Sequence, residues 1–306
     1  MVDLTALRTE ARNEHTLDLD TLSVTELLTR MNAEDRRVPE SVASAIPQVA
    51  QAVDLVATAL GAGGRLIYLG AGTSGRLGVL DAVECPPTFG TDPSQVIGLI
   101  AGGERAQTHA LEGAEDDPDL AASQLNAIGL TDRDVVVGIS ASGRTPYVIG
   151  GLDHARRLGA KTVGIVCNTH AQISQHADVA IEVDTGPEVL TGSTRLKAGT
   201  SQKLVLNMIS TAAMVQIGKV YGNLMVDVRP TNDKLRRRAQ HIVEEATDCE
   251  SDAARAALSA ADGQAKTAIV MLLLDVDAPT ARERLAAAQG RVRDAIDSRT
   301  SGSPRR

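Results

Sequence analysis

Aromatic residues are almost absent from this chain of 306 residues, which has no Trp, three Tyr and a single Phe, Phe89. The core must therefore be built from Ala, Val, Leu and Ile, and the aromatic platforms on which single-stranded nucleic acids stack are missing. Excess positive charge is absent too, because 31 basic residues face 39 acidic ones and the net charge is −8. No basic field would draw the chain to DNA, RNA or an anionic membrane. We therefore expect neither nucleic acid nor membrane as a partner.

Cysteines and long apolar runs are also scarce. Cys85, Cys167 and Cys249 are too few and too scattered for a disulfide framework or a zinc site, and free thiols suit a reducing cytosol. The N-terminal MVDLTALRTEARNEHT lacks the apolar core of a signal peptide. The longest strongly apolar stretch, AIVMLLL, is far shorter than a membrane span. We expect a cytoplasmic protein that needs no metal.

Short β-branched runs recur along the middle of the chain and predict strands. They cover residues 66–70, 96–100, 135–140, 162–166 and 179–183. Strict alternation of apolar and polar residues is absent, as in strands covered on both faces, and helical patterns lie between the runs. These repeats predict an α/β fold with a five-stranded parallel sheet flanked by helices. In such folds, ligands bind in the loops at the carboxyl ends of the strands.

Shifts in composition predict three parts. Residues 1–46 are charge-rich and predict an N-terminal helical arm. Residues 47–244 hold the sheet and a helix over 200–222 that is apolar nearly all round, which is typical of a helix buried in a core or at a subunit interface. Residues 245–306, rich in Ala, Arg, Glu and Asp, predict a small helical bundle and a flexible tail.

Two loops that leave strands are rich in hydroxyl groups. In LGAGTSGRLGVLDAVECPPTFG, Thr73 and Ser74 lie among glycines that let a ligand approach the backbone, but neither the dinucleotide spacing nor a P-loop lysine is present. In GISASGRTPYV, the hydroxyls of Ser140, Ser142 and Thr145 and the amides of a helix start can satisfy the oxygens of one phosphate. Alone, each loop could be a glycine-rich turn or a side-chain-capped helix start. Two of them on one sheet favour a ligand site.

A third polar cluster, TGPEVLTGSTRLKAGTSQKL, precedes the long predicted helix. Its candidates for contact with an anionic or polyhydroxylated ligand are Glu188, Gly192, Ser193, Thr194, Arg195, Lys197 and Thr200. In the alternative, structural interpretation, Thr200 or Ser201 merely caps the helix. The two basic residues of the cluster are then solvated.

The motifs LGAGTSGRLGVLDAVECPPTFG, ISASGRTPY and TGSTRLKAGTSQKLVLNMIST resemble those of the SIS (sugar isomerase) domain, a flavodoxin-like fold that binds phosphosugars. They are similar in particular to the N-acetylmuramic acid 6-phosphate etherase family and to the related glucokinase regulatory proteins. The resemblance implies a carbon–oxygen lyase that removes D-lactate from this phosphorylated amino sugar and leaves N-acetylglucosamine 6-phosphate. It also implies a role in cell-wall amino sugar recycling, no cofactor, and a homodimer.

The resemblance carries the two catalytic carboxyl groups onto Glu84 and Glu115. The lactyl ether at C3 is β to the aldehyde carbon of the open sugar, so a base is needed near C2 and an acid near the ether oxygen. Two carboxyl groups suffice if their environments separate their pKa values. Glu84 is assigned as the acid, and we expect Val83, Cys85 and Phe89 to desolvate it and raise its pKa. Glu115 is assigned as the base, although its acidic neighbours are equivalent on the sequence alone.

The phosphate is assigned to Ser140, Ser142 and Thr145, with Thr73 and Ser74 closer to the sugar. Two other functions stay open. An aldose–ketose sugar-phosphate isomerase of the SIS type would use a similar base but needs no acid at an ether oxygen. A non-catalytic sugar-phosphate sensor would be either a repressor, which needs a basic helix-turn-helix that this acidic N-terminal segment does not provide, or a regulator, which usually carries two SIS domains. The presence of both glutamates favours the etherase.

Overall fold

The computed structural model describes residues 7–111, 113–230 and 232–297. The chain divides into two compact units. The first comprises Met1–Val83 and Pro93–Ser210, and the second comprises Glu84–Asp92 and Thr211–Arg306. The boundaries expected from composition, after residues 46 and 244, remain predictions, and the predicted flexible tail lies outside the described residues.

A five-stranded parallel sheet forms the centre of the first unit. Its strands are β1 (Leu66–Gly70), β2 (Val96–Ile100), β3 (Val135–Ser140), β4 (Lys161–Val166) and β5 (Val179–Glu182). They lie in the order β2–β1–β3–β4–β5, and every neighbouring pair is parallel. Each predicted strand is confirmed to within one residue. All residues of β1 and β3 are buried, which explains why their sequences do not alternate.

Helices precede the sheet, connect its strands and follow the last of them. They are α1 (Val24–Asp35), α2 (Val38–Ser44), α3 (Ile46–Gly61), α4 (Gly72–Phe89), α5 (Arg105–Thr108), α6 (Pro118–Ala127), α7 (Pro146–Arg157) and α8 (Lys197–Gln216). Short 3₁₀ turns lie at Arg8–Glu10, Glu14–Thr16, Leu19–Thr21, Ala114–Asp116 and Gln172–His176. The helix α3 forms because buried apolar residues recur every three or four positions along it, and a proline stands in its first turn.

The register of the sheet sets two polar loops side by side. Gly70, the last residue of β1, lies opposite Ile139 near the end of β3, so the loops that leave these strands begin next to each other. The turn from β1 into α4 is tight, because a Cβ atom on Gly75 would lie 2.5 Å from the Gly70 carbonyl oxygen. Glycine is therefore required at position 75 for the close approach of helix and strand.

The second unit is helical apart from one small hairpin. The hairpin pairs β6 (Val220–Tyr221) with β7 (Leu224–Met225), and the helices that follow are α9 (Asp233–Thr247), α10 (Ser251–Ala260), α11 (Ala265–Leu274), α12 (Ala278–Ala287) and α13 (Val292–Asp297). Its core contains many alanines together with larger side chains such as Ile269 and Val270. The predicted helical bundle is confirmed. The long helix predicted over 200–222 instead covers Lys197–Gln216, because the hairpin follows and Gly218 adopts a φ of +80°.

Among the described residues, no single helix has both the length and the apolar composition needed to cross a membrane. Two sharply bent pairs of segments meet those criteria only when their members are counted together, one over Val24–Ser44 with Ile46–Gly61 and one over Ser251–Ala260 with Ala265–Leu274.

Candidate active site

The loop that leaves β3 gathers three hydroxyl groups. Ser140 Oγ lies 2.8 Å from Thr145 Oγ1 and 3.4 Å from Ser142 Oγ, and it accepts a hydrogen bond of 3.0 Å from the Gly143 amide. Gly143 turns the chain here at a φ of +74°. The structure thus brings together the three residues that the sequence predicted for the phosphate.

Thr145 directly precedes α7 but does not cap it with its side chain. Its hydroxyl faces Ser140 instead, so the interpretation of this loop as a side-chain-capped helix start is wrong. Ser140 is buried, whereas Ser142 and Thr145 are half-buried. Two partly accessible hydroxyls next to an uncapped helix start are groups that an anion can use.

The two hydroxyl residues of the loop that leaves β1, Thr73 and Ser74, differ in burial. Ser74 is buried, and its hydroxyl donates to Gln202 Oε1 on α8 at 3.0 Å. Thr73 is half-buried and lies beside α8 as well, since a Cβ atom on Gly199 would be 3.5 Å from Thr73 Cγ2. Of the two residues predicted to lie near the sugar, Thr73 is the more accessible, and Ser74 fixes α4 to α8.

Buried charges hold the start of α8. Glu188 is fully buried and accepts hydrogen bonds of 2.9 Å from the amides of Lys197 and Ala198. It is therefore Glu188, and not the predicted Thr200 or Ser201, that caps this helix. Burial raises the pKa of Glu188, while the two amide hydrogen bonds act in the opposite direction.

The structural interpretation expected Lys197 to be solvated, and this expectation is wrong. Lys197 is not free to meet a ligand either. It is only 2% exposed, and its Nζ donates to Glu34 Oε2 on α1 at 2.6 Å. Burial alone would raise the pKa of Glu34, but hydrogen bonds from Lys197, His15 and Asn13 outweigh it and lower the pKa to about 2. The pair ties the N-terminal segment to α8.

Glu115 lies in the 3₁₀ turn Ala114–Asp116 and is exposed. It lines a cavity of about 340 Å³ together with residues of the β1 loop and of the segment after β2, namely Ala71, Gly72, Arg76, Ala101, Ala106, Ala110, Leu111, Gly113 and Asp116. Two nitrogens of Arg76 donate to the carbonyl oxygens of Gln107 and His109 at 3.1 and 2.9 Å. The predicted base therefore shares a cavity with the loop predicted to meet the sugar.

The acidic residues around Glu115 are not equivalent in the structure. Asp117 caps α6, where its side chain accepts hydrogen bonds from two backbone amides of the first turn. Asp116 lines the same cavity as Glu115. Glu112 lies outside the described residues. Of the acidic residues that the structure describes in this segment, Glu115 and Asp116 line the cavity, and the choice of Glu115 as the base stays a prediction.

Glu84 lies on α4 and is exposed. Cys85 and Phe89 are buried, four residues apart on the inner side of the helix, whereas Val83 is 63% exposed. Successive residues of an α-helix point about 100° apart, so neighbours in the sequence do not surround one another. The expectation that Val83, Cys85 and Phe89 desolvate Glu84 is therefore wrong within a single chain.

Two residues that the sequence reasoning missed hold the site in place. Gln202 Oε1 accepts a hydrogen bond from the Ser74 hydroxyl, and Gln202 Nε2 is buried without a hydrogen-bond partner among the described residues. Asn168 donates from Nδ2 to the Ala141 carbonyl oxygen at 3.1 Å and to Thr9 Oγ1 at 3.0 Å. A polar residue just after a buried strand is a signal that could have found Asn168, whereas Gln202 lies within a helical pattern that gave no such signal.

Two other kinds of reactive group that an active site can use are a cysteine thiol and a metal-binding cluster. Burial raises the pKa of Cys167 to about 12, so this thiol stays protonated at neutral pH and is a poor nucleophile. In the part of the chain that the structure describes, no three His, Cys, Asp or Glu side chains are grouped so as to hold a metal ion. That the protein needs neither a metal nor a cofactor stays a prediction.

Similarity to known proteins identifies the family. Residues 48–156 match the glucokinase regulatory protein N-terminal SIS domain, and residues 114–212 match the SIS domain. A protein of Mycolicibacterium smegmatis named N-acetylmuramic acid 6-phosphate etherase is 61% identical over 295 residues, which cover 96% of this chain and 99% of that protein. The chain belongs to the N-acetylmuramic acid 6-phosphate etherase family. The family expected from the motifs is thereby confirmed.

Further members of the etherase family align over nearly their full length. The protein of that name from Exiguobacterium sp. is 60% identical and covers 89% of this chain and 93% of its own length. The second etherase of Lactiplantibacillus plantarum is 58% identical over 97% of this chain and all of that protein. Among solved structures, phosphoheptose isomerase GmhA from Neisseria gonorrhoeae aligns with a TM-score of 0.49 and 20% identity, over 62% of this chain and 98% of its own.

Proposed function

We propose that this protein cleaves the lactyl ether of N-acetylmuramic acid 6-phosphate to N-acetylglucosamine 6-phosphate and D-lactate, in the recycling of cell-wall amino sugars in the cytoplasm. Family membership supports the substrate, since relatives at 58–61% identity carry the etherase name. The structural observation that carries the proposal is the cavity that Glu115 shares with the β1 loop. It holds a carboxylate next to a glycine-rich loop, as proton abstraction from a bound sugar requires.

The reaction needs one base and one acid. Ring opening exposes the C1 aldehyde and makes the C2 proton acidic, and Glu115 removes that proton. The electron pair left at C2 forms the C2–C3 double bond as the C3–oxygen bond breaks, and Glu84 gives its proton to the departing lactate oxygen. Water then adds its hydroxyl at C3 and C2 regains a proton, which yields N-acetylglucosamine 6-phosphate.

The phosphate is placed at the β3 loop. Ser142 and Thr145 present partly accessible hydroxyls, and both lie within hydrogen-bonding distance of the buried Ser140 hydroxyl. Neutral hydroxyl and amide donors bind a phosphate without a basic field, so the net charge of −8 does not oppose this assignment. Thr73 is placed towards the sugar, and Ser74 acts indirectly by fixing α4 to α8.

Exposed apolar side chains on α4 and α8 support a homodimer. Leu80 and Val83 on α4 are 52% and 63% exposed, and Met208 on α8 is 38% exposed. A second copy of the chain that covers these side chains would remove them from water. It would also shield the neighbouring Glu84 from water, and removal from water favours the uncharged form of a carboxyl group, which is the form that a general acid requires. We therefore propose that dimer formation supplies the environment that Glu84 lacks in the single chain.

Release of D-lactate from N-acetylmuramic acid 6-phosphate tests the function, with a D-lactate dehydrogenase as the readout. We expect one lactate for each N-acetylglucosamine 6-phosphate formed. Glu84→Gln should lower the rate by roughly 10²–10⁴-fold, the usual contribution of a general acid, while Glu40→Gln at an exposed position of α2 should not. A folded preparation that releases no lactate would exclude the proposal. An aldose–ketose isomerase would release none.

A further inference from the structure

A second cavity lies wholly within the helical unit. Its volume is about 520 Å³, within the range of small-molecule sites. The hairpin exit, the turn before α11 and the helix α12 line it. None of the residues assigned to the etherase reaction line this cavity, so it needs an explanation of its own.

The lining of this cavity has an excess of positive charge. Its ionisable side chains are Lys219, Arg229, Lys266 and Arg282 on the basic side and Asp227 and Asp262 on the acidic side. The formal local charge is therefore +2, in a chain whose total is −8. Arg282 is paired with Asp262, so the excess belongs to the group around Asp227 and to Arg229.

Two lysines share one carboxylate oxygen. Lys266 Nζ lies 2.8 Å and Lys219 Nζ lies 3.0 Å from Asp227 Oδ2, which places the two ammonium nitrogens no more than 5.8 Å apart. Both side chains are largely shielded, at 12% and 24% exposure. In the described ranges 7–111, 113–230 and 232–297, Asp227 is the only carboxylate paired with either lysine. One of two neighbouring, poorly hydrated charges is left without a counter-ion.

Hydrogen-bond donors remain to bind that counter-ion. An ammonium has three N–H donors and a guanidinium has five. Lys266 uses two, on Asp227 and on the Gly218 carbonyl oxygen at 2.9 Å. Lys219 uses one on Asp227, and Arg229 uses one on the Gly90 carbonyl oxygen at 2.8 Å. The start of α11 also borders the cavity, and the residue before it provides no side-chain cap.

We propose that this cavity is a second anion-binding site that takes the phosphate of a small phosphate monoester. The local charge of +2 matches a phosphate monoester, which carries about −1.5 to −2 at neutral pH, better than it matches a carboxylate. Arg229 supplies a planar pair of donors, and the two lysines supply point charges. The volume leaves room for a sugar attached to the phosphate. This site is independent of the etherase function, since it shares no residue with that reaction.

Equilibrium dialysis with radiolabelled inorganic phosphate at constant ionic strength counts the sites. We expect two sites per chain, one at the β3 loop and one in the helical unit. Thr145→Val should weaken the first only, and Arg229→Gln should weaken the second about tenfold or more, as the loss of one charge-assisted hydrogen bond predicts. Arg255→Gln is the matched control, because this arginine lies in the same unit on α10 and pairs with Asp252 outside the cavity.

Unlabelled glucose 6-phosphate should displace the label from the second site if phosphate monoesters are its ligands, whereas acetate at equal concentration should not. Lys219→Met provides a second variant in case Arg229→Gln perturbs the fold, which thermal unfolding reports. If the etherase proposal alone fails, no lactate is released from N-acetylmuramic acid 6-phosphate, whereas the phosphate site sensitive to Arg229 remains. Phosphate binding that is unchanged in both Arg229→Gln and Lys219→Met would overturn the second site.

Discussion

The β3 loop and the start of α8 are both polar parts of the first unit, but the start of α8 buries ionisable side chains, whereas the candidate binding residues of the β3 loop are neutral. At the start of α8, the ionisable side chains of Glu188 and Lys197 are nearly inaccessible and are held by hydrogen bonds within the protein. In the β3 loop, Ser140, Ser142 and Thr145 are neutral and contact one another, and two of them are partly accessible. The contacts at the start of α8 hold the fold together, whereas the hydroxyls of the β3 loop remain accessible to the phosphate proposed to bind there.

Paired charges that are buried hold elements together because either partner alone is costly in a low-dielectric interior. Neutral hydroxyls can exchange a hydrogen bond with each other for one with a ligand at little cost. Lys197, a basic residue of the third polar cluster, therefore stabilises the fold. The β3 loop, whose hydroxyl residues are neutral, is the better candidate for binding the phosphate.

The largest expected effect is on the scaffold. Lys197→Met leaves the Glu34 carboxylate buried without its ammonium partner. We expect the free energy of unfolding to fall by about 3–5 kcal/mol, as for other broken buried ion pairs, measured by urea denaturation.

Two further variants sharpen this test. Glu34→Gln combined with Lys197→Met should recover much of the loss, because no unpaired charge is then buried. Arg37→Gln removes an exposed partner of the same carboxylate, 3.6 Å away, and should cost less than about 1 kcal/mol. Equal losses for Lys197→Met and Arg37→Gln would show that the buried pair has no special role.

The next effect is on binding. Thr145→Val removes one hydroxyl of the β3 loop and keeps the shape of the side chain. We expect KM for N-acetylmuramic acid 6-phosphate to rise about tenfold or more, the value of one hydrogen bond to a charged group, with stability nearly unchanged. Thr58→Val, at an exposed turn of α3 where the hydroxyl donates to the Asp54 carbonyl oxygen, is the control. A loss of stability with KM unchanged would assign the β3 loop to the scaffold.

The smallest expected effect is on the stability of the protein at acidic pH. The pKa of Glu34 is lowered from 4.5 to about 2 in the folded chain, so its contribution is complete above pH 4.5 and is lost as the pH falls towards 2. Between these values the native protein should lose stability more steeply than Glu34→Gln/Lys197→Met does, in denaturation curves at successive pH values. Parallel losses in the two proteins would mean that Glu34 does not titrate with folding.

Much of the fold could be predicted from local pattern, because each strand is a short, largely apolar run and helical patterns lie between these runs. The β3 loop was found for the same reason, since Ser140, Ser142 and Thr145 lie within six positions. Contacts between distant residues could not be found in this way. The pair of Lys197 and Glu34 joins residues 163 positions apart, and nothing in either local sequence indicates it.

The surroundings of Glu84 could not be predicted from the sequence for a different reason. Its neighbours in the sequence are apolar, but on α4 Cys85 and Phe89 face inwards and Glu84 faces outwards. The sequence pattern of a helix describes its own faces and not what covers the outer one. Leu80 and Val83 beside Glu84 are exposed, and the second copy of the chain proposed above would cover them.

The separate roles of the two carboxyl groups are tested most directly by the reaction in heavy water, with deuterium at C2 of the sugar measured by NMR or mass spectrometry. We expect the unaltered protein to release D-lactate and to label C2 of the product. Glu84→Gln should exchange the C2 proton of the substrate without releasing lactate, and Glu115→Gln should do neither. Lactate released without deuterium at C2 would contradict elimination through C2 deprotonation.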